Sequence, residues 1–117
     1  MWILQGAGGQ TGALRFRVRA GGVKTVGRAT RADFTVDAAL VSRLHCRLEA
    51  GDKSLEVIDL DSTNGTFVNG KRVERARLTA GDRLRIGRVE LTVEKVKSER
   101  LEVKRTANQT GGRSESF

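Results

Sequence analysis

The chain has 117 residues, 38% of them apolar, and carries 22 Lys plus Arg against 14 Asp plus Glu, a net charge of +8. That length suits one domain around one hydrophobic core, and the apolar share argues against a disordered chain. One cysteine (Cys46) and one histidine (His45) exclude an internal disulfide and leave no zinc-site spacing.

The positive excess is spread along the chain. Residues 1–96 hold 17 basic and 11 acidic groups, and residues 97–117 hold five and three. Such a balance favours anionic partners: a phosphorylated peptide, nucleic acid or a membrane surface. Met1-Trp2-Ile3-Leu4 is too short for a secretory signal, and no apolar run approaches membrane-spanning length. The expectation is an intracellular protein with no membrane partner, cytoplasmic rather than nuclear.

Trp2 to Leu4 reads as a short apolar strand, followed by a flexible loop from Gly6 to Gly12. Leu14, Phe16 and Val18 alternate with Arg15, Arg17 and Arg19, the pattern of a half-buried strand with a basic outer face. Gly21-Gly22 turns the chain into a strand from Val23 to Val26, and Asp33 to Val36 gives another. A loop from Asp37 leads through Ser42-Arg43-Leu44-His45 to a strand with Cys46, Leu48 and Ala50 on one face. On a strand, neighbours point to opposite faces, so His45-Cys46 is not a nucleophile and its base, and Cys46 reads as a small core residue.

Leu55 to Asp59 is a further strand. The stretch from Asp59 to Gly70 then packs small polar residues and glycines between apolar runs. Asn69-Gly70, before Lys71-Arg72-Val73, predicts a tight hairpin with positive φ at both residues. Ser62-Thr63-Asn64-Gly65 is longer than a hairpin requires, and two hydroxyls beside an amide on one turn read as a polar surface held out for a ligand. Leu84 to Ile86 and the alternating Val89, Leu91, Val93 complete the series.

Three catalogue motifs come close and fail. The run from Gly65 to Lys71 fits the start of a phosphate-binding P-loop, but Arg72 replaces the magnesium-holding hydroxyl and no helix follows. Asp59-x-Asp61-x-Thr63 lacks the glycine and the bidentate glutamate of a calcium loop. Asn64-Gly65-Thr66 and Asn108-Gln109-Thr110 would be glycosylated only in a secreted chain. No cofactor or metal site is expected, and no nucleophile, base and orienting group come together, so an enzyme is not expected either.

About ten or eleven short strands with Gly, Asp and Asn turns, and no sustained helical period, predict an all-β antiparallel sandwich or barrel. The folded unit is expected over residues 1–96, with a partly disordered tail over 97–117. Thr106 and Thr110 in that tail follow Lys104-Arg105 and could be kinase targets.

Gly27-Arg28, Ser42-Arg43-Leu44-His45 and Asp61-Ser62-Thr63-Asn64-Gly65-Thr66 with Asn69-Gly70 occur in an order and spacing that resemble the forkhead-associated (FHA) domain family. The resemblance covers about residues 2–96. It implies an eleven-stranded β-sandwich whose loops at one end bind phosphothreonine peptides. Carried over by residue, it implies that Arg28, Ser42 and Thr63 contact the phosphate and that Asn64 holds the peptide backbone. Arg43 takes a second phosphate- or peptide-contacting position, and Gly27, His45 and Gly65 shape the loops. The residue chemistry agrees: a phosphate dianion presents three acceptor oxygens, and two hydroxyls with one or two guanidiniums supply the donors.

The implied function is a phosphothreonine-recognition module that joins proteins after a Ser/Thr kinase has acted. Two alternatives stand beside it: a basic β-domain that binds nucleic acid through Arg15, Arg17 and Arg19, which is disfavoured, and an oligomerising sandwich whose phosphosite is unused. Residues Ala38 to Val41 are expected to read positions flanking the phosphothreonine, with Leu40 and Val41 favouring an apolar one.

Overall fold

A computed structural model describes residues 1–6 and 14–96. The stretch 7–13, which is rich in glycine, and the tail 97–117, with Thr106 and Thr110, lie outside the described residues. Eleven strands occur in chain order: β1 (Trp2–Gly6), β2 (Arg15–Val18), β3 (Val23–Gly27), β4 (Phe34–Thr35), β5 (Cys46–Ala50), β6 (Leu55–Asp59), β7 (Thr66–Val68), β8 (Lys71–Val73), β9 (Arg75–Leu78), β10 (Arg83–Ile86) and β11 (Val89–Lys95). They form a six-stranded sheet in the order β2-β1-β11-β10-β7-β8 and a five-stranded sheet in the order β4-β3-β5-β6-β9. Pairing is antiparallel apart from β3 and β4, which run parallel over two residue pairs.

The alternation of apolar residues sets which face of each strand turns inward. Trp2, Leu4, Val18, Leu84, Ile86, Leu91 and Val93 from one sheet meet Val26, Cys46, Leu48, Leu55, Val57 and Leu78 from the other, all fully or almost fully buried. Each such side chain contributes about 1.5–3 kcal/mol by leaving water. Burial pushes the Cys46 thiol up to about 12, so at neutral pH it is an inert thiol within the core. Trp2 keeps its one polar atom satisfied by donating from Nε1 to Gly51 O at 2.9 Å.

Two turns follow directly from composition. Asn69 and Gly70 have φ of 52° and 85°, as the hairpin between β7 and β8 requires. Two elements differ from the sequence reading. β9, with only Ala76 and Leu78 to alternate, carries too little pattern to be read alone. It is fixed by pairing Leu55 with Leu78. β4 is shorter than the run Asp33 to Val36 because Asp33 leaves the ladder. Its carboxylate accepts from the Thr25 amide at 2.8 Å and from Thr25 Oγ1 at 3.1 Å, closing the β3–β4 loop.

Candidate functional site

Register places four connections at one pole of the sandwich. β3 ends where β5 begins, since Val26 pairs with Cys46, and β6 ends there too, since Cys46 pairs with Asp59. In the other sheet Ile86 pairs with both Thr66 and Val89. The β3–β4, β4–β5 and β6–β7 loops and the β10–β11 turn therefore share that pole.

Arg28 leaves β3 into the first loop, and its backbone N–H donates to Ser42 O at 2.9 Å. Its Nε donates to Val41 O at 3.1 Å, which fixes the guanidinium plane while the side chain stays exposed. The two terminal nitrogens are left to face solvent. Ala29 N–H donates to Arg43 O at 3.1 Å, locking the first loop to the second. Gly27 is the reason they can lie so close: a Cβ there would sit 2.0 Å from Arg43 O.

Ser42 Oγ accepts from the Thr63 amide at 3.0 Å, so its own hydroxyl hydrogen remains for a ligand. Asn64 Nδ2 donates to Leu40 O at 3.1 Å, leaving Oδ1 as an exposed acceptor. The Thr63 and Arg43 side chains are exposed and make no hydrogen bond or ion pair with described residues. Arg28, Ser42, Thr63, Asn64 and Arg43 thus come from three loops that are hydrogen-bonded to one another.

His45 lies beneath them, fully buried. Its Nδ1 accepts from the Ser42 amide at 3.0 Å, so the ring carries its proton on Nε2, which donates to Gly65 O at 2.9 Å. One side chain thereby ties the β4–β5 loop to the β6–β7 loop, across the two sheets. Gly65 takes φ of 93°, and Arg72 lies over it: a Cβ would come within 2.8 Å of Arg72 Nε.

The β6–β7 loop has a second organiser that sequence reasoning did not single out. Asp59 accepts from Ser62 Oγ at 2.5 Å, from the Ser62 amide at 3.1 Å and from Thr66 Oγ1 at 2.7 Å. Ser62 Oγ in turn accepts from Gly65 N at 3.0 Å. The signal was present as Asp-x-x-Ser-x-x-x-Thr, since Asp and Ser bond the backbone of nearby turns. Gly87 was also missed. With φ of 60°, it lets the β10–β11 turn press on Leu40, whose backbone carbon would be 2.9 Å from a Cβ.

Burial would push the Asp59 carboxyl up, but the hydrogen bonds from Ser62 and Thr66 outweigh it and hold the group below the usual carboxylate range. A carboxyl lowered by folding adds stability that is complete above its unfolded value, near 3.8, and fades as pH falls through the folded one. An Asp59→Asn variant should therefore be less stable than wild type at neutral pH, with the gap closing in acid. Urea midpoints measured from pH 7 to pH 3 check this, and a constant gap would assign the loss to packing alone.

Of the flanking residues expected to read a peptide, Val41 is 2% exposed and belongs to the core, so it cannot take that role. Leu40, 38% exposed, remains at the surface beside Asn64. Among the described residues no group of three or more His, Cys, Asp or Glu could hold a metal ion, and no helix is long and apolar enough to cross a membrane.

Comparison with known proteins identifies the family. The family model for the FHA domain matches residues 24–87. Over 70 residues the chain is 41% identical to an ABC transporter ATP-binding/permease protein of Mycobacterium tuberculosis, covering 60% of this chain and 8% of that one. Over 67 residues it is 39% identical to the oxoglutarate dehydrogenase inhibitor of Corynebacterium diphtheriae, covering 57% of this chain and 47% of that one. The chain therefore spans less than half the length of these relatives. A structure from a study of phosphothreonine-dependent FHA domain interactions superposes with a TM-score of 0.73 at 32% identity, over 81% of this chain and 96% of that one. The chain belongs to the FHA domain family.

Proposed function

We propose that residues 1–96 form a non-catalytic reader of phosphothreonine segments, acting on partners modified by a Ser/Thr kinase on the cytoplasmic side, with 97–117 as a tail. The observation that carries this reading is the convergence at one pole of unsatisfied donors from three mutually bonded loops. Arg28 offers two terminal nitrogens, and Ser42 and Thr63 each offer a hydroxyl hydrogen. Together they match the three acceptor oxygens of a phosphate dianion, and Arg43 adds charge from the second loop. Asn64 Oδ1 then accepts from the amide of an extended peptide.

The loops are tied before ligand arrives, so little ordering opposes binding. This favours recognition of a phosphate on a flexible segment rather than of a folded surface. The threonine γ-methyl, if seated, contributes about 0.8 kcal/mol by area alone and roughly 1–3 kcal/mol in a fitted pocket.

Isothermal titration with one peptide in three forms tests the reading: phosphothreonine, phosphoserine and unphosphorylated threonine. The phosphothreonine form should bind tightest, phosphoserine weaker by about 1–3 kcal/mol, and the unphosphorylated form not measurably. Equal binding of the first and third forms would refute phosphate reading. Binding of single-stranded DNA with a steep salt dependence, reduced by charge reversal at Arg15 and Arg17, would favour the nucleic-acid alternative instead.

A further inference from the structure

On one side of the sandwich both sheets stop early. β2 is the last strand of its sheet, and among the described residues nothing pairs with its outer side. In the other sheet β4 meets β3 only at Val26 and Gly27, so among the described residues no strand covers the outer side of Val23 to Thr25, where the Asp33 carboxylate takes the Thr25 amide. Phe16 of β2 stacks on Phe34 of β4 with ring centroids 4.6 Å apart, closing this side midway. Beyond the stack, at the pole away from the phosphate-reading loops, is a groove of about 460 Å³ lined by Met1, Arg17, Arg19, Ala20, Gly22 and Lys24. Among the described residues no carboxylate lines it.

The phase of the ladder decides which amides β2 offers. Gly6 N–H donates to Leu14 O at 2.8 Å, and the register continues through Gln5 with Arg15, Leu4 with Phe16, Ile3 with Arg17 and Trp2 with Val18. Opposed residues in an antiparallel pair alternate between bonded and non-bonded. Phe16 and Val18 therefore turn their N–H and C=O groups to β1, and Arg15 and Arg17 turn theirs outward. Phe16 and Val18 also face the core, which leaves the two arginine side chains on the outer face. Arg15 holds Gln5 Oε1 at 3.2 Å, while the Arg17, Arg19 and Lys24 side chains make no hydrogen bond or ion pair with described residues.

We propose that this edge and groove dock an extended acidic segment of a partner protein, added as a further strand on β2 without any need for phosphorylation. Its backbone would bond the outward groups of Arg15 and Arg17, and alternate carboxylates would lie beside the two guanidiniums. The segment's end would then enter the groove between Arg19 and Lys24. Charge selects this occupant over the others. A second copy pairing β2 on β2 would bring the arginine-rich outer faces of two edges together. Among the described residues the groove lining holds no aromatic side chain on which a nucleobase could stack, and its concave form does not lie flat on a lipid surface. The inference stands apart from phosphothreonine reading, since it concerns the opposite pole and an unmodified ligand.

The test uses the full chain, labelled with nitrogen-15, and an unphosphorylated decapeptide of alternating Glu and Thr. Binding should shift the Arg15 and Arg17 amides and slow their hydrogen exchange. The doubly substituted Arg17→Glu, Arg19→Glu chain should bind at least about tenfold more weakly, as expected when like charges face one another, while keeping its affinity for a phosphothreonine peptide. Three results would overturn the proposal. One is a Gln-Thr decapeptide that binds as well. Another is shifts at the β2 amides without slowed exchange. The third is stronger binding at the same residues by single-stranded DNA, by phosphatidylserine vesicles or by a second copy of the chain.

Discussion

An Arg28→Ala variant should lose roughly ten- to hundredfold in affinity for a phosphothreonine peptide while its melting temperature stays within a few degrees of wild type. Hydrogen bonds to a charged group contribute about 1.5–3 kcal/mol, and 1.4 kcal/mol is a factor of ten. Among the described residues the Arg28 side chain makes one hydrogen bond, from Nε to the backbone of the second loop at Val41 O. The loop keeps its backbone anchors without it, because the Arg28 and Ala29 amides still reach Ser42 O and Arg43 O. Loss of affinity and loss of fold are thus separable here. Arg28→Lys is the informative companion: it restores the charge but not the fixed fork, so it should recover only part of the affinity. Titration of both variants, with amide spectra to confirm the fold, gives the result. Unchanged affinity in Arg28→Ala would move the phosphate to Arg43 or Arg31, the other two arginines of the interlocked loops.

The sandwich was legible because its core strands alternate cleanly: Cys46, Leu48 and Ala50, or Val89, Leu91 and Val93, can face only one way. The family was legible from three short segments whose residues sit far apart in sequence. What the chain did not disclose is how those segments are held. Asp59 reads as the end of an apolar strand, or as part of a failed calcium loop, until its carboxylate is seen gathering Ser62 and Thr66. Gly87 reads as an ordinary turn until Leu40 of a distant loop is found against it. Val41 has the composition of a peptide-reading residue, and only packing shows that it faces inward. Each of these depends on a contact between segments remote in sequence, where local propensity and periodicity carry no information. His45 is the intermediate case. The family resemblance implies that it shapes the loops, and the structure shows which atoms it joins and hence which tautomer it holds.

Gly27→Ala should be the most damaging single-methyl change at the binding pole, costing about 3 kcal/mol and lowering the melting temperature by roughly 10–20 °C. The added Cβ would lie 2.0 Å from Arg43 O, 2.7 Å from Arg43 C and 2.9 Å from Leu44 Cα. All three are backbone atoms, which cannot swing aside as a side chain would. β3 ends at this residue and β5 begins only two residues past Leu44, so both strands would have to part where the first two loops interlock. Two glycines calibrate the effect. Gly21 has φ of 88° but nothing within 4 Å of a Cβ, so its alanine variant carries only the left-handed penalty of about 1–2 kcal/mol. Gly70, with φ of 85° and equally open space, should behave alike. If close approach is what Gly27 supplies, its variant must be the least stable of the three although its φ needs no glycine. Its surviving folded fraction should also bind phosphothreonine peptide weakly, since separating β3 from the second loop strains the bonds from Arg28 N to Ser42 O and from Ala29 N to Arg43 O that hold the guanidinium over the pole. Thermal unfolding of the three alanine variants side by side decides it, and equal melting temperatures would mean that β3 and the second loop have slack the contacts do not reveal.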